Sequence, residues 1–155
     1  MNQLPGLERI REDSQDLAAA FRDAGFSLYA VGGCVRDAFM SDASSLDVDY
    51  TTNARPDDIL RLLRPLCTAT WDMGRAFGTI GGQLAATNRK VEITTFRSEA
   101  YSDSSRKPEV IFGDDLMVDL RRRDFTINAM AFDVIEPQLI APEGALSDLN
   151  ARILR

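Results

Sequence analysis

The chain is expected to fold as a single α+β domain spanning residues 1–155, with a mixed, mainly antiparallel sheet of about five strands flanked by helices. Three observations carry that expectation. Segments of helical and strand period alternate along the sequence, with no repeat, low-complexity tract or internal boundary between them. Two strand-like segments are separated only by Thr87-Asn88-Arg89, a connection short enough for an antiparallel hairpin. Finally, 155 residues at 45% hydrophobic and 27% charged composition suit one globular domain, and a domain of this size buries roughly two-thirds of the surface its unfolded chain exposes.

The elements follow in order. Leu7, Ile10, Leu17 and Phe21 recur at helical spacing through residues 5–24, and Gly25 stands where that helix would stop. SLYAV (27–31) is a short apolar run that reads as a strand, ends at Gly32-Gly33, and gives way to a helical pattern in CVRDAFM. After the polar turn SDASS, LDVDY (46–50) alternates apolar and acidic residues with the two-residue period of a half-buried strand. Pro56 at a first helical position, followed by Asp57 and Asp58, opens a helix to about Arg64. CTATW (67–71), FGTIGGQLAA (77–86) and KVEITTF (90–96) read as strands. RSEAYSDSSRKPE (97–109) has little apolar surface to offset the entropy of ordering and is expected to be a mobile loop. VIF, a helix from about Asp114 to Leu120, the cluster RRRDF and a helix-to-strand passage in TINAMAFDV follow, and SDLNARILR begins a last helix.

Composition removes several chemistries. There is no histidine, so Ser-His-Asp and Cys-His catalysis, an imidazole base and a histidine-bearing zinc site are excluded. Cys34 and Cys67 stand far apart and form no CxxC pair, so neither a disulfide framework nor a structural zinc is indicated. The N-terminus has no apolar signal region and no apolar run reaches membrane-spanning length, so a soluble, unprocessed, cytoplasmic chain without membrane contact is expected. The net charge of −6 argues against a dedicated nucleic-acid-binding surface. Carboxylates are left as the leading catalytic groups.

Asp47 and Asp49 come first among them. Residues i and i+2 of a strand share a face, so both carboxylates would project together while Leu46, Val48 and Tyr50 face the other way. Carboxylates held that close repel unless a cation lies between them, and hard oxygen ligands select Mg²⁺ or Mn²⁺. The same pattern also suits a solvated strand face. Upstream, VGGCVRD is a strand-Gly-Gly-helix junction: either a tight turn or, with Gly32, Gly33 and Arg36, a cradle for phosphate beside the carboxylates. Glu92, alone among the apolar residues of VEITTF, faces either solvent or the site; next to residues 46–50 it would complete a metal site or support it. In Asp119-Leu-Arg-Arg-Arg123-Asp124, three guanidiniums between two acids form either a surface helix end or a triphosphate or ribose contact.

Taken together, GGCVRD (32–37), LDVDYTTNARPDDI (46–59), GRAFGTI (74–80), VEITTFR (91–97), YSDSSRKPEVIF (101–112) and DLRRRDFTINAMAFD (119–133) resemble, in order and spacing, the head domain of the bacterial class II CCA-adding enzyme and poly(A) polymerase family. These belong to the polymerase-beta-like nucleotidyltransferases, and the likeness covers residues 27–155.

The resemblance implies a template-independent RNA nucleotidyltransferase that transfers nucleotidyl groups from CTP or ATP to the 3′ end of RNA, above all tRNA in CCA addition. Asp47 and Asp49 match the pair that binds two Mg²⁺ ions, with Mn²⁺ as a substitute; one ion lowers the pKa of the RNA 3′-hydroxyl and the other neutralises the triphosphate. Gly33 and Arg36 fall on nucleotide-binding positions, Gly32 lends the turn, and Arg123 matches a nucleotide-contacting arginine. Asp124 and Asn128 lie where ribose-facing polar groups occur, and Glu92 is taken as a further catalytic carboxylate.

The chain departs from the pattern at FMSDASS, where the family has a short leucine-rich segment, and it ends about where a neck domain would begin. Base selection and most of the RNA grip are therefore expected from a C-terminal remainder or a partner subunit. The same residues leave open an A-adding, CC-adding or poly(A)-synthesising head, and a non-catalytic nucleotide-binding module of this fold.

Overall fold

In the computed structural model, which describes residues 5–39, 48–100, 109–123 and 129–141, the chain begins with two helices where the sequence predicts one. α1 (Pro5–Asp13) and α2 (Gln15–Asp23) meet at Ser14, whose side chain is fully buried. Its hydroxyl hydrogen-bonds the Tyr50 hydroxyl at 2.5 Å, while its backbone N–H reaches both Ile10 and Arg11 carbonyls at 3.0 and 3.2 Å. The break between the two helices falls at this residue, whose hydroxyl is held by the sheet.

β1 (Leu28–Val31) leads through Gly32 into α3 (Gly33–Phe39). β2 (Val48–Thr52) is followed by α4 (Pro56–Leu63), β3 (Cys67–Trp71), β4 (Thr79–Leu84) and β5 (Lys90–Thr95). α4 buries Pro56, Ile59, Leu60 and Leu63, the i, i+3, i+4, i+7 stripe of a helix lying on a core. The expected loop at 97–109 is corrected at both ends: β6 (Arg97–Ala100) pairs antiparallel with β7 (Glu109–Phe112) in a separate two-stranded sheet. The apolar VIF segment supplies a partner that 97–100 could not offer alone; 101–108 lie outside the described residues. α5 (Leu116–Arg121), β8 (Ala131–Asp133) and β9 (Gln138–Ile140) complete the described chain. The final helix expected in SDLNARILR lies outside it.

Among the described residues the main sheet has seven strands, not about five, in the order β3-β4-β5-β2-β1-β8-β9. It is mixed and mainly antiparallel as expected: β2 and β5 run parallel, and every other neighbouring pair is antiparallel. β9 escaped the sequence because three residues are too few to show a period.

One face packs Leu17 and Phe21 of α2, Val35 of α3 and Ile59 and Leu63 of α4 onto Leu28, Ala30, Tyr50, Ile80 and Ile93. On the other face a smaller cluster sets Leu120 against Val31, Ala129 and Ala131. α5 covers that second face near β1 and β8 and reaches β2 at Thr51, and Asp49 and Glu92 are exposed beside it.

Tyr50 joins the two layers. Burial pushes its phenol above the ordinary tyrosine range, against the opposing effect of the Ser14 hydrogen bond. The folded chain keeps the phenol neutral where an unfolded chain would ionise it. The stability this contributes is complete below about pH 10 and is lost as pH climbs from there toward the folded value. The Tm is expected to fall more steeply above pH 10 than in a Tyr50→Phe variant; parallel curves would refute this.

Candidate active site

The parallel pairing of β2 and β5 sets Asp49 directly beside Glu92. The antiparallel neighbours extend that row, with Gly81 opposite Glu92, Trp71 opposite Gly81 and, on the other side, Val31 opposite Asp49. Residues in one row share a face, and neighbouring strands stand about 4.8 Å apart. Val48 and Tyr50 are buried on the reverse face and Asp49 is exposed, as the alternation of LDVDY predicts. Glu92 is exposed as well and lies on the same face as Asp49. Asp49, Glu92, Lys90, Trp71 and the edge of Val48 line a concavity of about 280 Å³.

Two like-charged carboxylates in adjacent register repel, and their oxygens suit a hard divalent cation. Among the described residues no three acids or thiols converge into a metal group. Asp47, the other half of the predicted pair, lies outside the described residues, as do Asp124 and Asn128.

At the end of β1, Gly32 takes φ +77°, a left-handed conformation that favours glycine, and turns the chain into α3. Arg36 folds back over this turn: its Nη2 lies 3.4 Å from where a methyl on Gly33 would sit, and its Nε pairs with Asp37 Oδ1 at 3.2 Å. Cys34 ties the turn to β2. Its thiol donates to the Val31 carbonyl at 3.3 Å and is pushed up to about 11, first by burial, with the charges of Asp49 and Asp37 adding and the Asp49 backbone N–H opposing. Gly32, Gly33 and Arg36 therefore stand at the Asp49 end of β2, on the β1 side of the carboxylate row.

The third component comes from α5. Asp115 caps this helix, accepting from the Met117 N–H at 2.9 Å. Asp119, with no exposed surface, accepts from the Arg97 N–H (2.9 Å), the Thr51 hydroxyl (3.4 Å), Arg122 Nε (3.3 Å) and Arg123 Nη2 (3.1 Å). Thr51 lies two residues beyond Asp49 on the same strand face, so Asp119 anchors Arg123 one pleat repeat from the carboxylate row. Sequence reasoning singled out Arg123 but missed Asp119 as its holder. The signal was present: Asp119 precedes Arg122 and Arg123 by three and four residues, the spacings that meet on a helix. Trp71 was missed as well, because its place beside Glu92 depends on a register that the sequence does not state.

Comparison with known proteins gives one answer. The model of the poly A polymerase head domain matches residues 28–155. The CCA-adding enzyme of Staphylococcus epidermidis is 40% identical over 147 residues, which are 94% of this chain and 35% of that enzyme. The Bacillus stearothermophilus CCA-adding enzyme, solved in complex with CTP, superposes with a TM-score of 0.72 at 32% identity, covering 92% of this chain and 33% of its own. A tRNA nucleotidyltransferase solved with a primer tRNA and an incoming ATP analog gives 0.68 at 29% identity, covering 89% and 37%. The chain thus spans about a third of the length of the relatives it matches. With the match beginning at the first residue of β1 and taking in every strand of the carboxylate row, the chain belongs to the poly A polymerase head domain family.

Proposed function

We propose that this chain is the catalytic head, one domain over residues 1–155, of an RNA nucleotidyltransferase that transfers nucleotidyl groups from CTP or ATP to the 3′-hydroxyl of RNA, with tRNA in CCA addition as the leading substrate. The observation that carries this reading is the register of Asp49 beside Glu92, with the Gly32–Arg36 turn at one end of the row. The CTP complex and the primer tRNA complex among the structural neighbours agree with it.

In this reaction the 3′-hydroxyl of the RNA gives up its proton to solvent and its oxygen bonds to the α-phosphorus of the nucleotide. The bond from that phosphorus to the bridging oxygen breaks, and pyrophosphate leaves with the electron pair. Asp47 and Asp49 would hold two Mg²⁺ ions, or Mn²⁺ in their place; the adjacent carboxylate oxygens fit such ions, which supply charge neutralisation and a more acidic 3′-hydroxyl. Glu92 adds a third carboxylate on the neighbouring strand. Gly32 and Gly33 let the backbone approach the triphosphate, Arg36 and Arg123 offset its charge, and Asp124 and Asn128 face the ribose. Base selection and most of the tRNA grip belong to a C-terminal remainder or a partner subunit. Among the described residues no helix is long and apolar enough to cross a membrane, and we place the enzyme in the cytoplasm.

Isothermal titration tests the site. The chain is expected to bind ATP in the presence of Mg²⁺ saturably and with little preference over CTP. The Asp47→Ala/Asp49→Ala variant is expected to lose that binding; unchanged heat of binding would overturn the assignment.

A further inference from the structure

We propose that Trp71 is the stacking platform for the terminal base of the RNA acceptor, a positioning role that rests on the nucleotidyl-transfer reading above. Trp71 sits two strands from Glu92 on the same sheet face, with Gly81 between them. A side chain at Gly81 would fill that step: its Cβ would stand 1.9 Å from Trp71 Nε1 and 2.3 Å from Cε2. The absence of one lets the five-membered ring of the indole lie over the Gly81 backbone. Trp71 belongs to neither buried apolar cluster and borders the same concavity as Asp49, Glu92 and Lys90. A large aromatic side chain held on a glycine at the rim of a carboxylate site adds little to the core, whereas a base stacked on it gains about 1–3 kcal/mol.

Direction settles which base. In nucleotidyl transfer the entering oxygen and the leaving pyrophosphate lie roughly in line on opposite sides of the α-phosphorus. Gly32, Gly33 and Arg36 occupy the β1 side of Asp49, and Trp71 occupies the opposite side, beyond β5 and β4. A triphosphate directed toward Arg36 brings the entering 3′-oxygen over Glu92, and the base attached to that ribose over Trp71. Lys90, in the same concavity, offers a cation to the phosphate that precedes it.

The chain contains a single tryptophan, so its fluorescence reports this position alone. Titration with the dinucleotide CpC is expected to quench the emission saturably, both without nucleotide and with the ATP site filled by ATP and Mg²⁺. Ribose 5-phosphate, which lacks a base, is expected not to quench; saturable quenching by it equal to that of CpC would overturn the stacking role. Gly81→Ala keeps the fluorophore but displaces the indole, and is expected to lose the CpC response while its circular dichroism stays as in the parent. By calorimetry, Trp71→Ala is expected to bind CpC roughly 5- to 150-fold more weakly, the loss of one stacked base, and Trp71→Phe to recover most of the affinity. CpC affinity unchanged in Trp71→Ala would overturn the proposal. Quenching by ATP and Mg²⁺ to which CpC adds nothing would also overturn it, assigning the indole to the nucleotide's own base. If ATP binds and CpC does not, this inference fails and the function above stands; if neither binds, both fail.

Discussion

Asp119→Ala is expected to lower the stability of the domain by about 3 kcal/mol, read as a fall of roughly 6–12 °C in Tm for a chain of this size. The carboxylate has no exposed surface and holds four donors from three parts of the chain: a backbone N–H at the start of β6, a hydroxyl on β2 and two guanidiniums at the end of α5. Removing it takes an acceptor from all four at once, although the Thr51 hydroxyl keeps the Thr94 carbonyl at 3.0 Å. The two arginine side chains are 18% and 22% exposed, so water recovers part of their loss, which keeps the cost at the lower end of what breaking a buried ion pair brings. Asp119→Asn retains an acceptor oxygen and is expected to lie between the parent and the alanine variant. Because Arg123 would lose its anchor, the alanine variant is also expected to bind ATP with Mg²⁺ more weakly than its stability alone explains. A Tm within two degrees of the parent would mean that Asp119 is no such anchor.

The second large effect concerns rate. Asp49→Asn preserves side-chain volume and removes one charge from the exposed row. In a polypeptide carrying this head, nucleotide transfer to a labelled RNA is expected to slow by about 10³-fold or more, since loss of a single preorganised electrostatic group in an active site already costs about 10²–10³. Glu92→Gln, one strand away, is expected to cost roughly 10- to 100-fold, in keeping with a group that supports a metal site from beside it. The folded state should be unaffected in both, because these side chains are exposed and bury nothing. A transfer rate within tenfold of the parent for Asp49→Asn would remove Asp49 from the chemistry.

The residues that announced themselves in the sequence did so through local physics. The period of LDVDY separates Asp49 from Val48 and Tyr50, and that separation survives folding because β2 has a helix-covered face and an open one. Pro56 begins α4 because its fixed φ and missing N–H suit a first helical turn. Motif order across the chain identified the family before any contact was known. What stayed hidden is non-local. Nothing in VEITTF says that its strand runs parallel to β2, so Glu92 could not be placed beside Asp49 from its own neighbours. The partner of the Ser14 hydroxyl is Tyr50, on a strand 36 residues later. The indole of Trp71 lies on Gly81 through a hairpin register with a bulge between Cys67 and Ala69, which no count of residues would reveal.

The parallel pair β2 and β5, the only one among the described residues, also dictates when the carboxylate row can come into being. A parallel neighbour needs a crossover, and the one from β2 to β5 contains α4, β3 and β4. Asp49 and Glu92 can therefore meet only after this whole excursion has closed, a long-range step of the kind that slows folding. On a ribosome, a nascent chain that has emerged as far as β4 carries Asp49 with no partner from β5 beside it. The carboxylate row is thus a product of the completed crossover: a chain cut before β5 carries Asp49 without Glu92 beside it.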